Sequence, residues 1–424
     1  MKASKNLFPH SSLFLLLAAL QLSACHKGEA AAQAADTPAT IVNYHPAARA
    51  KKPQDAAAKS AAPARSKSAP AYSDRQHWLE KWHKLDQGAK VKFRIIQLGD
   101  SHTAGDYFSH EVRSRLQQRW GDGGIGWVFP NNLNGQRSAL VSYQGGGWQT
   151  LSSRKEQADF PLGGALVRSN GQGSLTLSER TPSGGEQDIT LMIKPLLADN
   201  PLSVTTGSGR TEAVSPLSGS PIWQYSNFSA SLPLTLSAGG SDLWEIGLIG
   251  IENRQPGIVY SALGINGSQL AQSSRWRAGW EQDLAATRAD LVVLAYGTNE
   301  AFNPKLDLAQ TEQQWHDIIA RIRKTLPNAG IMVIGAPESL KSTAGSCGQR
   351  PAMLDQVQQM QQRIAESEGL LYWSWQTAMG GNCSMKNWMG QNLGARDGVH
   401  FSAQGYRQAG AALADDIIRM VQER

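Results

Sequence analysis

The stretch Lys92–Val112, KFRIIQLGDSHTAGDYFSHEV, runs from an apolar segment into a Gly-Asp-Ser-His turn and then into a second periodic segment. The β-branched and aromatic residues of Phe93–Leu98 predict a β-strand. Apolar residues at helical spacing from Phe108 to Leu116 predict a helix after the turn. Ser101 is then expected where the carboxyl end of a strand meets the start of a helix, the edge at which open α/β sheets bind ligands. Ser101 could instead be only a turn or cap residue, so its role depends on partners elsewhere in the chain.

The hydrophobic pattern of the rest of the chain changes twice. Residues 127–256 contain short alternating runs, such as DITLMIKPL and LPLTLSA, separated by Gly, Ser, Asn and Pro, which predicts an all-β unit of the sandwich or jelly-roll kind. In residues 257–424, helical patterns alternate with continuous apolar strands, which are typical of parallel sheets. We therefore predict an α/β protein with a parallel sheet and helices on both faces, formed by residues 76–126 and 257–424 and interrupted by the inserted β-sandwich.

The amino terminus has the features of a bacterial export signal. Residues 1–25 combine lysines, a short apolar run and small residues, and Leu22–Cys25 resembles a lipobox, whose cysteine is lipidated. We expect Cys25 to anchor the chain, although an ordinary signal with an incidental cysteine is the alternative. Residues 26–75 are rich in Ala, Pro, Lys and Ser and predict a disordered tether. His26, in place of the aspartate of a retention signal, favours a periplasmic location on the inner face of the outer membrane.

The charges and the remaining cysteines narrow the possible partners. The formal net charge of +6 comes from the signal and the tether, so the folded part is balanced and no nucleic-acid partner is expected. Besides Cys25, the sequence contains Cys347 and Cys383. In a secreted chain we expect these two residues to form a disulfide, the alternative being two buried free thiols. Their spacing fits no metal site, and we expect neither a metal ion nor another cofactor.

Three later turns supply groups that could act together with Ser101. Gly267, in LGINGS, leaves its backbone N–H open to close approach, and Asn299, in YGTNEA, carries an amide donor. Asp397 and His400, in DGVHFSAQGY, lie three residues apart just before the last predicted helix. Acyl transfer needs a base beside the serine, a carboxylate that orients the base, and donors directed at the developing oxyanion. The sequence contains a candidate for each of these groups.

The order GDS, G-x-N-G, GTNE and D-x-x-H resembles the four blocks of the SGNH (GDSL-type) hydrolases. The resemblance implies a flavodoxin-like sheet with Ser101 as the nucleophile and His400 as the general base, oriented by Asp397. It also implies an oxyanion hole formed by the backbone N–H groups of Ser101 and Gly267 and the side-chain amide of Asn299. No cofactor is implied.

A narrower resemblance extends from about Trp78 to the end of the chain. The GDSH variant, the β insertion, the segment ENRQPGIVYSALGINGS and the block YGTNEA are similar to peptidoglycan O-acetylesterases of the neisserial type. That similarity implies removal of acetyl from the C6 hydroxyl of N-acetylmuramic acid through an acetyl-serine intermediate, with an insert similar to a carbohydrate-binding module. We also expect a monomer that contacts the membrane only through its lipid. The alternatives are an esterase or acetyltransferase for another acetylated envelope polysaccharide, and a non-catalytic polysaccharide-binding lipoprotein.

Four further side chains have less defined expectations. His102 neighbours Ser101 in the chain, so we expect it to form hydrogen bonds or part of the pocket wall rather than to act as a second base. Trp388 could line an acyl pocket. Trp148 and Trp223 of the insert could form a platform for a sugar ring.

Overall fold

The strand predicted from Phe93 to Leu98 lies inside a parallel sheet. In the computed structural model, which describes residues 41–43, 77–216 and 221–423, this strand is Lys92–Gly99. The strands of the sheet are β1 (Val42–Asn43), β2 (Lys92–Gly99), β3 (Asp122–Gly124), β13 (Gly257–Gly264), β14 (Leu291–Ala295), β15 (Gly330–Gly335) and β16 (Leu371–Ser374). Their order is β1-β16-β15-β14-β2-β13-β3, and all neighbours are parallel except β1 and β16.

Helices cover both faces of this sheet. The helices of the described residues are α1 (His77–Asp86), α2 (Ser101–Ala104), α3 (Phe108–Trp120), α4 (Trp280–Thr287), α5 (Thr298–Ala301), α6 (Leu308–Thr325), α7 (Leu354–Glu368), α8 (Trp375–Ala378), α9 (Ser384–Gly390), α10 (Ala403–Gln422) and a 3-10 helix (Leu270–Arg275). Because successive strand residues point to opposite faces, Phe93 and Ile95 join the core formed with α1, α3 and α10. Ile96 and Leu98 join the core formed with α4, α6 and α7.

An antiparallel unit, here called the β module, separates β3 from β13 in the chain. Its strands are β4 (Gly126–Val128), β5 (Val141–Ser152), β6 (Ala165–Glu179), β7 (Gln187–Leu197), β8 (Leu202–Thr205), β9 (Thr211–Val214), β10 (Gln224–Ala230), β11 (Leu234–Ser237) and β12 (Leu243–Asn253). Hydrogen bonds connect these nine strands into one antiparallel sheet. The alternating apolar residues of most of these strands form a core of their own.

The β module and the parallel sheet also share a hydrophobic core. Trp127, Phe129 and Leu248 of the module belong to the same buried cluster as Ile96 and Leu98 of β2. Burial of this much apolar surface holds the module firmly against the strand that leads to Ser101.

The amino-terminal segment differs from the prediction in one place. Val42–Asn43, within the range predicted as a tether, pairs antiparallel with Leu371–Tyr372 at the edge of the sheet, and Ile41 packs against the core. The reason is local composition, since β-branched residues favour a pleated, half-buried strand. Cys25, the predicted signal and the rest of the predicted tether lie outside the described residues. No helix in the described ranges combines the length and apolarity that a membrane span requires.

Candidate active site

Ser101 lies at the carboxyl end of β2, at the first position of the short helix α2. Asp100 caps this helix, because its Oδ1 accepts the His102 N–H at 2.9 Å. Glycine is required on both neighbouring strand ends. A Cβ on Gly99 would lie 2.1 Å from Thr103 Oγ1, and one on Gly264 would lie 2.4 Å from Ala104 N. The GDS turn can therefore seat α2 directly on the sheet edge.

The D-x-x-H turn brings His400 to the serine from the other end of the chain. His400 Nε2 is 2.9 Å from Ser101 Oγ, and His400 Nδ1 is 2.7 Å from Asp397 Oδ2. The other oxygen of Asp397 accepts the N–H groups of Val399 and His400, each at 2.9 Å. Burial acts to raise the pKa of Asp397, but these hydrogen bonds outweigh it and hold the pKa below its ordinary value. An ionised carboxylate thus fixes the imidazole with its Nε2 free to take a proton from the serine.

Gly267 and Asn299 line the same cavity as Ser101 and His400, a space of about 520 Å³. Gly267 has φ +75°, a conformation that favours glycine, and a Cβ there would lie 2.7 Å from the guanidinium carbon of Arg154, so the arginine side chain would have to shift. Asn299 Nδ2 donates to Ser268 O at 2.9 Å, which fixes the amide against the Gly267 turn. An amide nitrogen carries two hydrogens, so one remains for an oxyanion. Four of the five predicted residues therefore line one cavity, and the fifth, Asp397, is hydrogen-bonded to His400 behind it.

His102 supports the wall of this cavity from behind. Its Nδ1 is 2.9 Å from the hydroxyl of Tyr406, which lines the cavity, and its ring centroid is 5.5 Å from that of His400. Burial lowers the pKa of His102 to about 3. The His102 side chain is thus neutral, and its ring packs beside the imidazole of His400.

Two buried carboxyl groups hold the turns in place, and their protonation state has no signal in the sequence beyond their position in the motifs. Glu300 Oε1 accepts the Leu270 N–H at 2.9 Å and its Oε2 accepts the Gly297 N–H at 3.1 Å. These bonds tie the Asn299 block to the helix that follows Gly267. Burial raises the pKa of Glu300 to about 7 and that of Asp100 to about 8.

Asp106, which the sequence reasoning missed, joins the active-site helix to the β module. It has φ +47°. Its Oδ1 accepts the Ser109 hydroxyl and its Oδ2 accepts the Ala139 N–H, both at 2.7 Å. Next to it, Arg137 N–H donates to Ala104 O at 3.1 Å. The segment between β4 and β5 is thereby fastened beside the serine, and Gly135 of that segment lines the cavity.

Cys347 and Cys383 form a disulfide with a Cα–Cα distance of 4.8 Å. The loop that carries Cys347 also contacts the D-x-x-H turn, because Leu340 N–H donates to Gly398 O at 2.7 Å. The loop cross-linked by the disulfide thus also contacts the turn that carries His400. No cluster of three or more His, Cys, Asp or Glu side chains suited to a metal ion occurs in the parts of the chain that the structure describes.

The tryptophans considered from the sequence have other surroundings. Trp388 is buried, donates its Nε1–H to Met379 O at 2.9 Å and packs against Phe401, outside the cavity lining. Trp148 packs against the core of the β module. Trp223 donates its Nε1–H to the backbone oxygen and side chain of Asp159 and packs against two cores. Trp388 therefore does not line the cavity beside Ser101, whereas a sugar platform at Trp148 and Trp223 stays a prediction.

Comparison with known families matches the two parts of the chain separately. A model described as "Peptidoglycan O-acetylesterase, N-terminal" matches residues 123–235. A model of the GDSL-like lipase/acylhydrolase family matches residues 235–408, which include Gly267, Asn299, Asp397 and His400. A search of curated proteins found no significant match.

Solved structures include one with high similarity over most of the chain. The structure of a peptidoglycan O-acetylesterase is 51% identical, covers 82% of this chain and 97% of its own, and has a TM-score of 0.77. A putative GDSL-like lipase from Parabacteroides merdae is 19% identical over 38% of this chain and 72% of its own, with a TM-score of 0.31. An acetyl xylan esterase is 15% identical over 38% of this chain and 80% of its own, with a TM-score of 0.30. The last two similarities are too low to support an argument.

A parallel sheet with a serine, a histidine and an aspartate at its carboxyl edge, matched by the GDSL-like family, defines a carboxylic ester hydrolase of the SGNH type. The β module and the 51% identity over nearly the full length of the related structure narrow this class. The chain belongs to the peptidoglycan O-acetylesterase family.

Proposed function

We propose that this protein removes O-acetyl groups from peptidoglycan, from the C6 hydroxyl of N-acetylmuramic acid. The observation that carries the proposal is the hydrogen-bonded series Asp397–His400–Ser101, with distances of 2.7 and 2.9 Å, at an open cavity. An acetyl ester needs a nucleophile, a base and an oxyanion site, all of which are present here. The family membership supports peptidoglycan as the polymer.

The first half of the reaction acylates the serine. Ser101 Oγ attacks the acetyl carbonyl carbon while His400 Nε2 takes the hydroxyl proton. The oxygen of the tetrahedral intermediate accepts hydrogen bonds from the N–H groups of Ser101 and Gly267 and from Asn299 Nδ2. When the C–O bond to the sugar breaks, His400 returns the proton to the leaving oxygen, so the sugar departs as a free hydroxyl.

The second half releases acetate. A water molecule loses a proton to His400 Nε2 and attacks the acetyl-serine carbonyl. The same three donors stabilise the second intermediate, and the proton returns to Ser101 Oγ as the ester bond breaks. Asp397 remains ionised throughout and stabilises the imidazolium that forms in each half.

We further propose a periplasmic, lipid-anchored monomer, attached through Cys25 to the inner face of the outer membrane. The lipobox-like Leu22–Cys25 and the residue His26 support this location. The domain division proposed here is residues 1–25 as the signal, 26–75 as the tether, 127–256 as the insert, and 76–126 with 257–424 as the hydrolase. The edge strand Val42–Asn43 is an ordered point within the tether range.

The test uses the chain from His26, without the lipidated cysteine, and peptidoglycan from a strain that O-acetylates its cell wall. We expect acetate release, and muropeptide mass spectrometry that shows loss of acetyl from the muramic acid C6 position. Ser101→Ala should lose about 10³-fold or more of this activity, whereas Ser183→Ala, an exposed serine of the β module, should keep it.

Four outcomes would contradict the proposal. Full activity of Ser101→Ala would show that Ser101 is not the nucleophile. Acetyl transfer to sugar acceptors in place of acetate release would make the protein an acetyltransferase. Release of acetate only from a different acetylated polysaccharide would change the substrate, and failure of a serine-reactive fluorophosphonate to label Ser101 would indicate a non-catalytic protein.

A further inference from the structure

A second cavity lies beside the catalytic one, between the β module and the turn after β13. It has a volume of about 380 Å³, and we call it the module-side pocket. Asn266, next to the oxyanion residue Gly267, lines both this pocket and the catalytic cavity. The two spaces therefore adjoin, and their volumes lie in the range of small-molecule sites. A substrate larger than an acetyl ester can extend from one into the other.

The lining of the module-side pocket suits a sugar polymer. Leu133 and Ile265 supply apolar surface, while Asn134, Thr150 and Asn266 supply amide and hydroxyl groups. Sugar rings present apolar faces and hydroxyl edges, so mixed lining of this kind is complementary to them. All five of these side chains are uncharged, so they do not by themselves select one glycan.

The charge at the turn between β5 and β6 supplies the selection. Arg154 and Lys155 are exposed on this turn and line the pocket. Arg275 adds a third cation, since its Nη2 donates to Glu156 O at 2.8 Å. The one carboxylate in the lining, Glu156, accepts the Ser152 N–H at 2.8 Å. Two cations and one carboxylate therefore line the pocket, with Arg275 beside them, and the other carboxylate of the turn, Asp159, is paired with Lys194 at 2.9 Å.

Arg154 links this cationic turn to the reaction centre. Its Nη1 donates to Gly267 O at 2.9 Å, and its guanidinium lies against the Gly267 α-carbon. Gly267 belongs to the turn that supplies an oxyanion donor. A carboxylate held by the turn would consequently have a fixed position relative to the ester that reacts.

We propose that the module-side pocket binds a carboxylate-bearing part of the acetylated polymer, through Lys155 and Arg154. The proposal rests on the proposed function and deepens it. In peptidoglycan, the acetylated muramic acid carries a lactyl ether joined to a peptide with free carboxylates, so an anionic group lies on the same residue as the ester. The β module then selects peptide-bearing strands over neutral acetylated glycans.

The test compares Lys155→Gln and Lys155→Glu with the control Lys90→Gln. Lys90 is an exposed lysine just before β2, at the end of the strand opposite to Ser101. Substrates are O-acetylated, peptide-bearing peptidoglycan fragments and neutral 4-nitrophenyl acetate. We expect Lys155→Gln to raise KM for the fragments about 2- to 5-fold, the size of one exposed ion pair. Lys155→Glu should raise it further, and high salt should reduce the difference. Hydrolysis of the neutral ester should not change.

A binding measurement separates this proposal from the proposed function. Ser101→Ala should bind peptide-bearing fragments without their acetyl groups more tightly than the same glycan after removal of the peptide, and Lys155→Glu should abolish that preference. The proposal is overturned if Lys155→Glu behaves as Lys90→Gln in both assays, or if it alters both substrates equally. If the unmodified protein has no esterase activity, the proposed function is overturned instead, and the binding preference can still be measured.

Discussion

The imidazole of His400 takes part in two hydrogen bonds, one with Asp397 and one with Ser101, and the two partners have different roles. Asp397 holds the imidazole ring in position, and Ser101 Oγ lies 2.9 Å from His400 Nε2. Asn299 has a double duty, because the amide that we assign to the oxyanion also donates to Ser268 O. At this scale, function depends on single hydrogen bonds.

Asn299→Ala removes one oxyanion donor and one restraint on the Gly267 turn. We expect kcat on acetyl esters to fall about 10²- to 10³-fold, with a smaller change in KM, because the donor acts mainly on the transition state. Steady-state kinetics with 4-nitrophenyl acetate measures both constants. An increase in KM with kcat unchanged would assign Asn299 to substrate binding only.

Asp100 makes stability depend on pH. Burial raises its pKa from 3.8 to about 8, so the folded protein favours the protonated carboxyl. The resulting stability is fully present below the ordinary pKa of 3.8 and is lost as the pH rises through about 8. Asp100→Asn cannot ionise and can still accept the His102 N–H, so we expect its Tm to decrease less than that of the unmodified protein between pH 5 and pH 8.

Thermal unfolding at several pH values checks this prediction. Asp317→Asn, at an exposed helix position, is the matched control and should follow the unmodified protein. An equal loss of Tm in Asp100→Asn would mean that Asp100 does not govern this range. Burial also raises the pKa of Glu300, to about 7. The Tm of Asp100→Asn therefore keeps a smaller pH dependence of the same sign.

The chemistry of the site could be predicted at this scale, whereas the state of its neighbours could not. Ser101, Asp397 and His400 are identified by residue type and order along the chain. The protonation of Asp100 and the neutrality of His102 depend on burial, which is created by residues far away in sequence. Asp106 was missed because an aspartate before a helix is ordinarily a cap.

At the scale of elements, the long helices were predicted closely because their apolar periodicity is strong. Apolar residues at helical spacing predict helices over residues 308–326 and 402–421, and the structure has α6, Leu308–Thr325, and α10, Ala403–Gln422. The strand β1 was missed, since two residues within an Ala- and Pro-rich segment give no periodic signal and their partner, β16, is more than 300 residues away.

Removal of β1 should weaken the sheet without affecting catalysis. A chain that begins at residue 45 lacks this strand, whereas a chain that begins at residue 37 retains it. We expect the shorter chain to lose about 1–3 kcal/mol of unfolding free energy, the contribution of two or so backbone hydrogen bonds with some apolar burial. Urea unfolding measures the difference.

The kinetic control for this pair is hydrolysis of 4-nitrophenyl acetate. Three strands separate β1 from β2 in the sheet, so kcat/KM should be the same in both chains. Identical urea midpoints would show that the β1 pairing contributes nothing to the folded state.

At the scale of the whole molecule, the disulfide joins two loops of the hydrolase part over a separation of 36 residues. Replacing both cysteines by serine should lower the unfolding free energy by about 3–4 kcal/mol, because the unfolded chain regains the entropy that the cross-link removes. Urea unfolding of the Cys347→Ser/Cys383→Ser protein, beside the reduced unmodified protein, measures this loss. Equal stability of the oxidised and substituted proteins would contradict it.

The whole molecule was also the scale at which prediction from the sequence was least complete. The insertion itself is visible, because its strands alternate with period two inside a helix-rich pattern. Its contribution to the active site is not, because Gly135 and Arg154 reach the cavity region only through the packing of the β module on β2. That packing depends on a shared core, which leaves no recognisable pattern in the sequence.

The position of the insertion also determines the order in which the parts of the enzyme fold. Lys92 of β2 pairs with Gly257 of β13, and Ile95 pairs with Leu291 of β14. Both partners lie more than a hundred residues after the strand that carries Ser101, whereas the β module consists of contiguous chain. We therefore expect the module to fold first and the esterase centre to form late, from contacts of high sequence separation that fold slowly.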